Sequence, residues 1–346
     1  MKTGPDVSTI YRIARYYYAE GLSQEEIAAK EGFSRSQISR LIERARDLGL
    51  VKITLIPPTD LRTEELARTL AARLGLVSVI VVPVRKSADA DEIAMAIATR
   101  AADLLPELLS GFDIVGLGWG NTVYKTAELL PKGFGKGGKP LFVPLIGISG
   151  DDNPNLQINT IIDRFSSSFR AKGLFVNIPS VREKNAPLSK IEEQRVAILE
   201  ERWAQVEAAV IGLGAPPSDS PNLIDELPIE YKAELKKSKS CGDILAHFFD
   251  RDGEIFKPEH GYDLLAIDME KLAKVKRSIC LAGGGNKQAG IIAAAKAGFI
   301  TDLVTDESTA IAALDLIGEE EDPPRSGKPS SMAKKGEASR SGATGI

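Results

Sequence analysis

Short apolar segments alternate with amphipathic ones along most of this 346-residue chain, from residue 76 to about residue 317. The apolar segments predicted to be strands lie at residues 77–84, 113–117, 141–146, 174–178, 208–213, 264–269, 278–282 and, shorter, 303–304. Helical patterns separate them, at residues 90–109, 158–169 and 191–205. Apolar strands that alternate with helices are typical of a parallel sheet covered on both faces. We therefore predict an α/β domain with a doubly wound, Rossmann-like sheet.

A second pattern lies near the start of the chain. Ser23 and Glu26 have the spacing of a capping box that begins a helix, and Gly32 is suited to end it. Ser34 is suited to begin a second helix that runs to about Asp47. Its apolar residues form one stripe, namely Ile38, Leu41, Ile42 and Ala45. Two capped helices joined by a tight turn predict a helix-turn-helix of the winged type.

The polar face of the second helix has the chemistry of a major-groove reader. We expect Ser36, Gln37 and Arg40 to contact base edges, because hydroxyl, amide and guanidinium groups match their donors and acceptors. Arg35 and Arg44 are expected to bind phosphates. Ser39 completes the exposed face. The alternative is a solvated basic helix without a nucleic-acid partner.

Breaks in composition set the predicted domain boundaries. The helix-turn-helix domain covers residues 1–57 and ends in a strand at 51–56; a connecting helix covers 58–75, a ligand-binding domain 76–317 and a disordered tail 318–346. The tail has too few aliphatic residues to offset its ordering entropy. Residues 1–57 carry a net charge of +2 and the remainder −6. This distribution suits a protein that touches DNA with one end.

Three of the predicted strands run into glycine-rich turns, at residues 116–122, 212–216 and 283–287. In a doubly wound sheet such turns meet at the carboxyl edge, where ligands bind. Glycines allow backbone N–H groups to approach an anion, and a following helix N-terminus favours negative charge. The best phosphate site consists of Gly118, Trp119, Gly120, Asn121 and Thr122, in which the last two add polar side chains.

Residues 13–28, Ile-Ala-Arg-Tyr-Tyr-Tyr-Ala-Glu-Gly-Leu-Ser-Gln-Glu-Glu-Ile-Ala, and 34–41, Ser-Arg-Ser-Gln-Ile-Ser-Arg-Leu, resemble the start of SorC-family regulators. These bacterial proteins respond to sugars or sugar phosphates, and the likeness extends to about residue 315. It implies a large domain with the fold of phosphosugar isomerases that serves as a sensor. It also implies that the Gly-Trp-Gly-x-Thr loop binds phosphate, that Asp243 contacts sugar hydroxyls and that Lys287 meets the ligand. The Gly-Gly-Gly-Asn sequence before Lys287 departs from the family, which often has an acidic pair there.

Other interpretations of these residues stay open. Asp243 could begin a helix over 244–249, Lys287 could be a solvated helix residue, and Trp119 could pack in the core rather than stack on a sugar. Gly116-x-Gly-x-Gly suggests a dinucleotide site, but its third glycine comes one residue too early for the NAD motif. A phosphosugar isomerase could use aspartate and lysine.

The remaining inventory favours a regulator over an enzyme. His247 and His260 lie in no catalytic motif, and Cys241 and Cys280 form neither a disulfide framework nor a metal cluster. We expect no catalytic residue, no metal and no cofactor beyond the effector. We also expect a cytoplasmic protein without a membrane segment, which binds a double-stranded operator as a homodimer or homotetramer.

Overall fold

A computed structural model of the chain describes residues 6–51, 61–131, 140–149, 157–219, 227, 229–257 and 261–321. Contacts divide the chain into two units, residues 1–59 and 60–346. Several sequence predictions fall outside the described residues: most of the strand at 51–56, Pro57, Pro58, His260 and the tail beyond residue 321.

Residues 6–51, the described part of the first unit, contain three helices, α1 (Val7–Tyr18), α2 (Gln24–Glu31) and α3 (Arg35–Asp47). Ser23 and Glu26 form the predicted capping box at the start of α2. Gly32 ends α2 with a φ of 74°, a left-handed conformation that glycine adopts without strain. The turn to α3 is therefore as short as the sequence predicts.

One apolar cluster holds these three helices together. Its fully buried members include Ile13 of α1, Ile27 of α2 and Ile38 of α3. An ion pair also joins α1 to α2, in which Arg12 Nε and Nη2 donate to Glu31 Oε1 and Oε2 over 2.9 and 2.8 Å. A bidentate pair of this kind fixes the relative orientation of two helices.

The second unit is built on a seven-stranded parallel sheet. Its strands are β1 (Ser78–Val82), β2 (Ile114–Leu117), β3 (Leu141–Pro144), β4 (Lys172–Gly173), β6 (Ala208–Gly212), β10 (Arg277–Leu281) and β11 (Asp302–Asp306). Two antiparallel pairs lie outside it: β5 (Val181–Glu183) with β9 (Tyr262–Leu264), and β7 (Gly242–Ile244) with β8 (His247–Phe249).

The helices in the described part of this unit lie before, between and after the strands along the chain. They are α4 (Leu61–Leu74), α5 (Ala90–Leu108), α6 (Asn121–Leu129), α7 (Ile158–Phe169), α8 (Lys190–Trp203), α9 (Ile229–Lys237), α10 (Met269–Leu272), α11 (Gln288–Lys296) and α12 (Glu307–Glu321). All five residues of β11 and four of the five in β6 are buried. Successive side chains point to opposite faces of a sheet, so both faces are covered.

The order of the sheet is β1-β11-β10-β6-β2-β3-β4, which confirms the predicted α/β, doubly wound fold. From β2 the chain proceeds outward through β3 and β4. From β6 it proceeds the other way, through β10 and β11. The direction of winding therefore changes between β2 and β6, and the carboxyl ends of these two strands border the crevice where such sheets bind ligands.

Two predicted strands are wrong. Residues 174–178 form none, because the side chain of Asn159 takes both backbone groups of Val176 that a neighbouring strand would use. Asn159 Nδ2 donates to the Val176 carbonyl over 2.6 Å, and the Val176 N–H donates to Asn159 Oδ1 over 3.0 Å. The segment at 264–269 contributes only Leu264 to β9, because Asp268 caps α10 and turns the chain.

Two other boundaries differ from their predictions. The short strand predicted at 303–304 is the five-residue strand β11, whose polar ends, Asp302 and Asp306, are buried. The predicted tail begins too early, since α12 continues through Gly318 to Glu321. Glycine weakens a helix by about 1 kcal/mol, and the glutamates that follow are good helix formers.

The end of α12 predicts how truncations will behave. Deleting residues 322–346 should leave the melting temperature unchanged, because Met332 and Ile346 are the only apolar residues there larger than alanine, prolines aside. Deleting 318–346 also removes the last turn of α12 and should cost about 1 kcal/mol, or 2–4 °C. Differential scanning calorimetry of the two truncations measures both effects. A large loss in the shorter deletion would show that residues 322–346 dock on the protein.

Candidate functional site

Helix α3 presents its polar face to solvent. The buried side chains of α3 are those predicted, namely Ile38, Leu41, Ile42 and Ala45. The six residues assigned to DNA are all exposed, namely Arg35, Ser36, Gln37, Ser39, Arg40 and Arg44. The apolar spacing thus leaves a continuous polar face free of the core.

Three of these six side chains have partners within the unit. Gln37 and Ser34 form a capping box, in which Gln37 Oε1 accepts from the Ser34 N–H over 2.8 Å. Ser36 Oγ lies 3.0 Å from Ser34 Oγ. Arg35 Nε lies 2.8 Å from Glu25 Oε1 of α2. The sequence analysis missed the role of Gln37, although Ser34-x-x-Gln37 has the spacing of a capping box.

The second candidate site lies at the carboxyl ends of β2 and β6. After β2, Gly118 donates its N–H to the Val210 carbonyl over 2.8 Å, so this group is already bonded. Gly120 has a φ of 122°, which disfavours any other residue. It precedes α6, whose N-terminus has no side-chain cap. The first N–H groups of α6 are therefore the donors that this turn offers to an anion.

The remaining residues of this turn divide between core and surface. Trp119 is 6% exposed and belongs to the hydrophobic core, which favours its packing interpretation over stacking on a sugar. Thr122 is also buried, whereas Asn121 is exposed. The backbone of the turn and the Asn121 side chain are thus better placed for a ligand than the indole.

Asp243 lies in the β7–β8 hairpin, so its alternative prediction as the start of a helix is wrong. Gly214, which follows β6, donates its N–H to the Asp243 carbonyl over 2.9 Å. Leu245 and Ala246 form the hairpin turn with φ values of 53° and 62°. A Cβ on Gly118 would lie 2.9 Å from Leu245 Cδ2. The hairpin therefore contacts the turns after both β2 and β6.

Asp243 is 5% exposed, and its carboxyl oxygen Oδ1 has no hydrogen-bond partner among the described residues. A Cβ on Gly214 would lie only 1.8 Å from this oxygen. An unpaired buried acceptor is costly, which makes Asp243 a candidate for contact with a ligand hydroxyl.

Lys287 lies in the turn after β10, where it is the N-cap residue of α11. The turn is held against the end of β11 and the start of α12 by the Gly284 N–H, which donates to Asp306 Oδ2 over 2.9 Å and to Thr309 Oγ1 over 2.8 Å. On its exposed side Asn286 Nδ2 donates to Asp219 Oδ2. Lys287 is therefore held at a fixed turn, next to the turn that follows β6.

Comparison with known proteins places this geometry in a family. The family model "Putative sugar-binding domain" matches residues 61–315. The sorbitol operon regulator of Klebsiella pneumoniae is 28% identical over 315 residues, which cover 90% of this chain and 98% of that protein. This chain belongs to the SorC family of sugar-responsive transcriptional regulators.

Other comparisons agree with the resemblance seen in the sequence. The deoxyribonucleoside regulator of Bacillus subtilis strain 168 is 28% identical over 301 residues, or 86% of this chain and 94% of that protein. The crystal structure of the full-length sorbitol operon regulator SorC from Klebsiella pneumoniae matches with a TM-score of 0.72 at 28% identity. The match covers 90% of this chain and 100% of the SorC chain in that structure. These relatives are regulators by name, and the LsrR relative of Escherichia coli strain K12 is a transcriptional regulator by name.

Electrostatics set Asp243 of this SorC-family chain apart from its neighbours. Burial raises the pKa of Asp243 to about 7, although the Ala246 N–H and the charge of Lys287 act in the opposite direction. Burial lowers the pKa of Lys287, against the effects of Cys280, Asp243 and Asp306. Burial would also raise the pKa of Asp306, but hydrogen bonds from Ser308, Thr309 and Gly284 lower it. Of the two carboxyl groups beside Lys287, Asp243 therefore has a raised pKa and Asp306 a lowered one.

The sequence analysis missed Asp306 and two tyrosines, Tyr231 and Tyr262, whose hydroxyls feel the charge of Asp243. No sequence motif marks them, because only the folded chain brings them together. Among the described residues no cluster of three or more His, Cys, Asp or Glu side chains could hold a metal ion. The described helices of this SorC-family chain include none both long and apolar enough to span a membrane.

The raised pKa of Asp243 predicts a pH-dependent effect of Asp243→Asn on stability without ligand. A carboxyl with a pKa of about 7 when folded and 3.8 otherwise favours folding at low pH and loses this contribution as the pH rises to 7. The free energy of unfolding of the variant, relative to wild type, should therefore increase by about 2–3 kcal/mol between pH 5 and pH 8. Urea denaturation at both pH values measures it.

Asp252→Asn provides the matched control, because it makes the same charge change at an exposed position. If the difference between Asp243→Asn and wild type were the same at pH 5 and pH 8, the carboxyl group would not be buried as described.

Proposed function

We propose that this regulator binds a phosphorylated sugar at the carboxyl edge of its sheet and that this effector controls operator binding by α3. One observation carries the proposal: the uncapped N-terminus of α6, the unpaired oxygen of Asp243 in the β7–β8 hairpin and Lys287 in the turn after β10 lie on segments that adjoin the carboxyl ends of β2 and β6, where the winding of the sheet changes direction. Such crevices are the usual ligand sites of doubly wound sheets.

The phosphate is assigned to the turn Gly118–Trp119–Gly120–Asn121–Thr122. The uncapped start of α6 supports this assignment, because its first N–H groups offer donors and a favourable dipole. Asp243 accepts from the sugar hydroxyls, and Lys287 adds a positive charge beside them. The sorbitol operon and deoxyribonucleoside regulators are named for a sugar alcohol and for compounds that contain a sugar, which supports a sugar as the effector here.

For DNA, we propose that Ser36, Gln37 and Arg40 contact base edges and that Arg35 and Arg44 contact phosphates, with Ser39 on the same face. The exposure of all six side chains supports this assignment. One small helix-turn-helix reads only a half-site, so we propose that two or four copies of the chain bind the operator together, in the cytoplasm.

We also propose that the large domain binds its effector without converting it. Asp243 and Lys287 are chemically able to move a proton, so the alternative of an isomerase has a direct test. The protein is incubated with sugar phosphates and the mixture is followed by NMR. A product formed in proportion to enzyme concentration would favour the isomerase.

The phosphate assignment predicts that sugar phosphates bind at least tenfold more tightly than the same sugars without phosphate. A free sugar leaves the donors at the start of α6 without a partner, and a tenfold ratio corresponds to about 1.4 kcal/mol. Isothermal titration calorimetry with matched pairs measures the ratio. A thermal-shift screen of sugar phosphates identifies the pair to use, because a ligand that binds the folded state raises its melting temperature.

In this experiment, Lys287→Ala should lower the affinity for the sugar phosphate. It should leave the binding of DNA in the absence of ligand unchanged. Lys296→Ala, which removes the same charge from the last turn of α11, is the matched control. Equal affinity for the free and the phosphorylated sugar would rule out the phosphate site at α6.

The DNA assignment makes a separate prediction. Arg40→Ala should weaken operator binding by about 1–3 kcal/mol and relax the preference for the base it contacts. Arg44→Ala should weaken binding to all DNA sequences equally. It should also reduce the slope of log K against log salt concentration by about one. Fluorescence anisotropy with selected and scrambled duplexes at several salt concentrations separates the two effects.

Arg195→Ala on the exposed face of α8 is the control for the loss of one arginine. Wild-type affinity and salt dependence in both α3 variants would show that α3 is not the recognition helix.

A further inference from the structure

Strand β11 begins and ends with a buried aspartate, and these two residues have different partners. Asp302 and Asp306 are 2% and 0% exposed, so their burial is equal. At the amino end, Asp302 forms an ion pair with Arg277, whose Nε donates to Asp302 Oδ2 over 3.0 Å. At the carboxyl end, the donors that the described residues offer to Asp306 are all uncharged. Only Asp306 lies at the edge of the sheet where the effector is proposed to bind.

Four hydrogen bonds fill the acceptor positions of the Asp306 carboxylate. Its Oδ1 accepts from the Thr309 N–H over 3.1 Å and from the Ser308 hydroxyl. Its Oδ2 accepts from the Gly284 N–H over 2.9 Å and from the Thr309 hydroxyl over 2.6 Å. The Thr309 hydroxyl also accepts from the same Gly284 N–H, over 2.8 Å. Asp306 and Thr309 therefore hold one backbone N–H together, whereas the Ser308 bond does not involve Gly284.

The N–H that is held in this way belongs to the turn that carries Lys287. Gly284 and Gly285 have φ values of 70° and 57°, and Lys287 follows them as the first residue of the helix cap. A Cβ on Gly283 would overlap Asp306 Oδ2, so the absence of a side chain there lets the turn come this close to the carboxylate. The charge of Asp306 also acts to raise the pKa of Lys287, against the effect of burial.

We propose that Asp306 and Thr309 are positioning residues for the effector: by holding the Gly284 N–H they fix the turn that presents Lys287 to the sugar phosphate. This proposal rests on the proposed function and adds the residues on which the lysine depends. Neither of the two residues has to contact the ligand, because both act through the backbone of the turn.

Hydrogen exchange tests the hold on the turn without any ligand. Thr309→Val removes a hydroxyl that is bonded both to Asp306 and to the Gly284 N–H. Ser308→Ala is the matched control, because it removes a hydroxyl bonded to the same carboxylate and leaves both Gly284 bonds in place. The peptide that covers residues 283–287, followed by mass spectrometry, should exchange about fivefold faster in Thr309→Val, as expected for the loss of one neutral hydrogen bond. Equal exchange in Thr309→Val, Ser308→Ala and wild type would overturn the proposal.

Calorimetry with the full-length protein tests the effect on the ligand. The probes are glucose 6-phosphate, fructose 6-phosphate and ribose 5-phosphate, with inorganic phosphate as a reference. For the tightest sugar phosphate, Thr309→Val should weaken binding about 3–10-fold, the usual effect of one neutral hydrogen bond. Asp306→Asn should weaken it about tenfold, because an amide NH₂ would face donors that the carboxylate accepts from. Neither loss should exceed that of Lys287→Ala, and Ser308→Ala should bind as wild type does.

A double-mutant cycle separates positioning from a general loss of stability. In a Lys287→Ala background, Thr309→Val should have no further effect on affinity, because the lysine that it positions is absent. Asp302→Asn is the control for the loss of a buried carboxylate from β11, and it should lower the melting temperature but not the affinity. An equal effect of Thr309→Val with and without Lys287, or an equal loss of affinity in Asp302→Asn and Asp306→Asn, would show a structural effect and refute the positioning role.

The outcome for wild type separates this proposal from the broader one. If wild type binds no sugar phosphate more tightly than inorganic phosphate, the proposed effector class is wrong, and the hold on the turn is judged by hydrogen exchange. If wild type binds a sugar phosphate and Thr309→Val binds it equally well, the effector class stands and the positioning role is wrong. Thr309→Val decides the test if Asp306→Asn fails to fold.

Discussion

Gly214 donates its backbone N–H to the carbonyl of Asp243, and this contact places the β7–β8 hairpin over the end of the sheet. The approach is close because Gly214 has no side chain: the Asp243 carboxyl oxygen lies 1.8 Å from where a Cβ would be. Leu245 of the same hairpin packs on Gly118. Segments about a hundred residues apart in the sequence thus obtain their positions from one hairpin, and a larger residue at 214 would move all of them.

Opposed environments of two carboxyl groups then define the charge of the site. Asp306 accepts several hydrogen bonds, which favour its charged form, whereas burial of Asp243 favours its neutral form. Burial lowers the pKa of Lys287, while the charges of both carboxyl groups act to raise it. A site with one fixed negative charge, one positive charge and one adjustable carboxyl can accept an anionic ligand without a large excess of like charge.

The sequence predicted what depends on local patterns. The alternation of apolar and amphipathic segments gave the fold class and most strands of the sheet, and the capping signals gave α2 and α3. It failed where a distant side chain competed with the backbone, as Asn159 does at Val176. The sequence analysis also missed the β7–β8 hairpin. Its turn residues, Leu245 and Ala246, adopt positive φ angles, and such turns are usually recognised in a sequence by glycine or asparagine. The contact between Tyr231 and Tyr262 could not be predicted, since the two residues meet only in the tertiary fold.

If α3 is the recognition helix, as proposed, the capping box at its start limits which bases Gln37 can distinguish. Free glutamine is matched to adenine, because its amide both donates and accepts along the edge of the base. Here the Gln37 oxygen already accepts from the Ser34 N–H, which would leave the NH₂ group as the part of the amide that contacts a base. Gln37 would then recognise hydrogen-bond acceptors, such as N7 of either purine or O4 of thymine. Discrimination among bases would shift to its neighbour Arg40, and operators would tolerate more variation opposite Gln37 than a glutamine in a recognition helix normally permits.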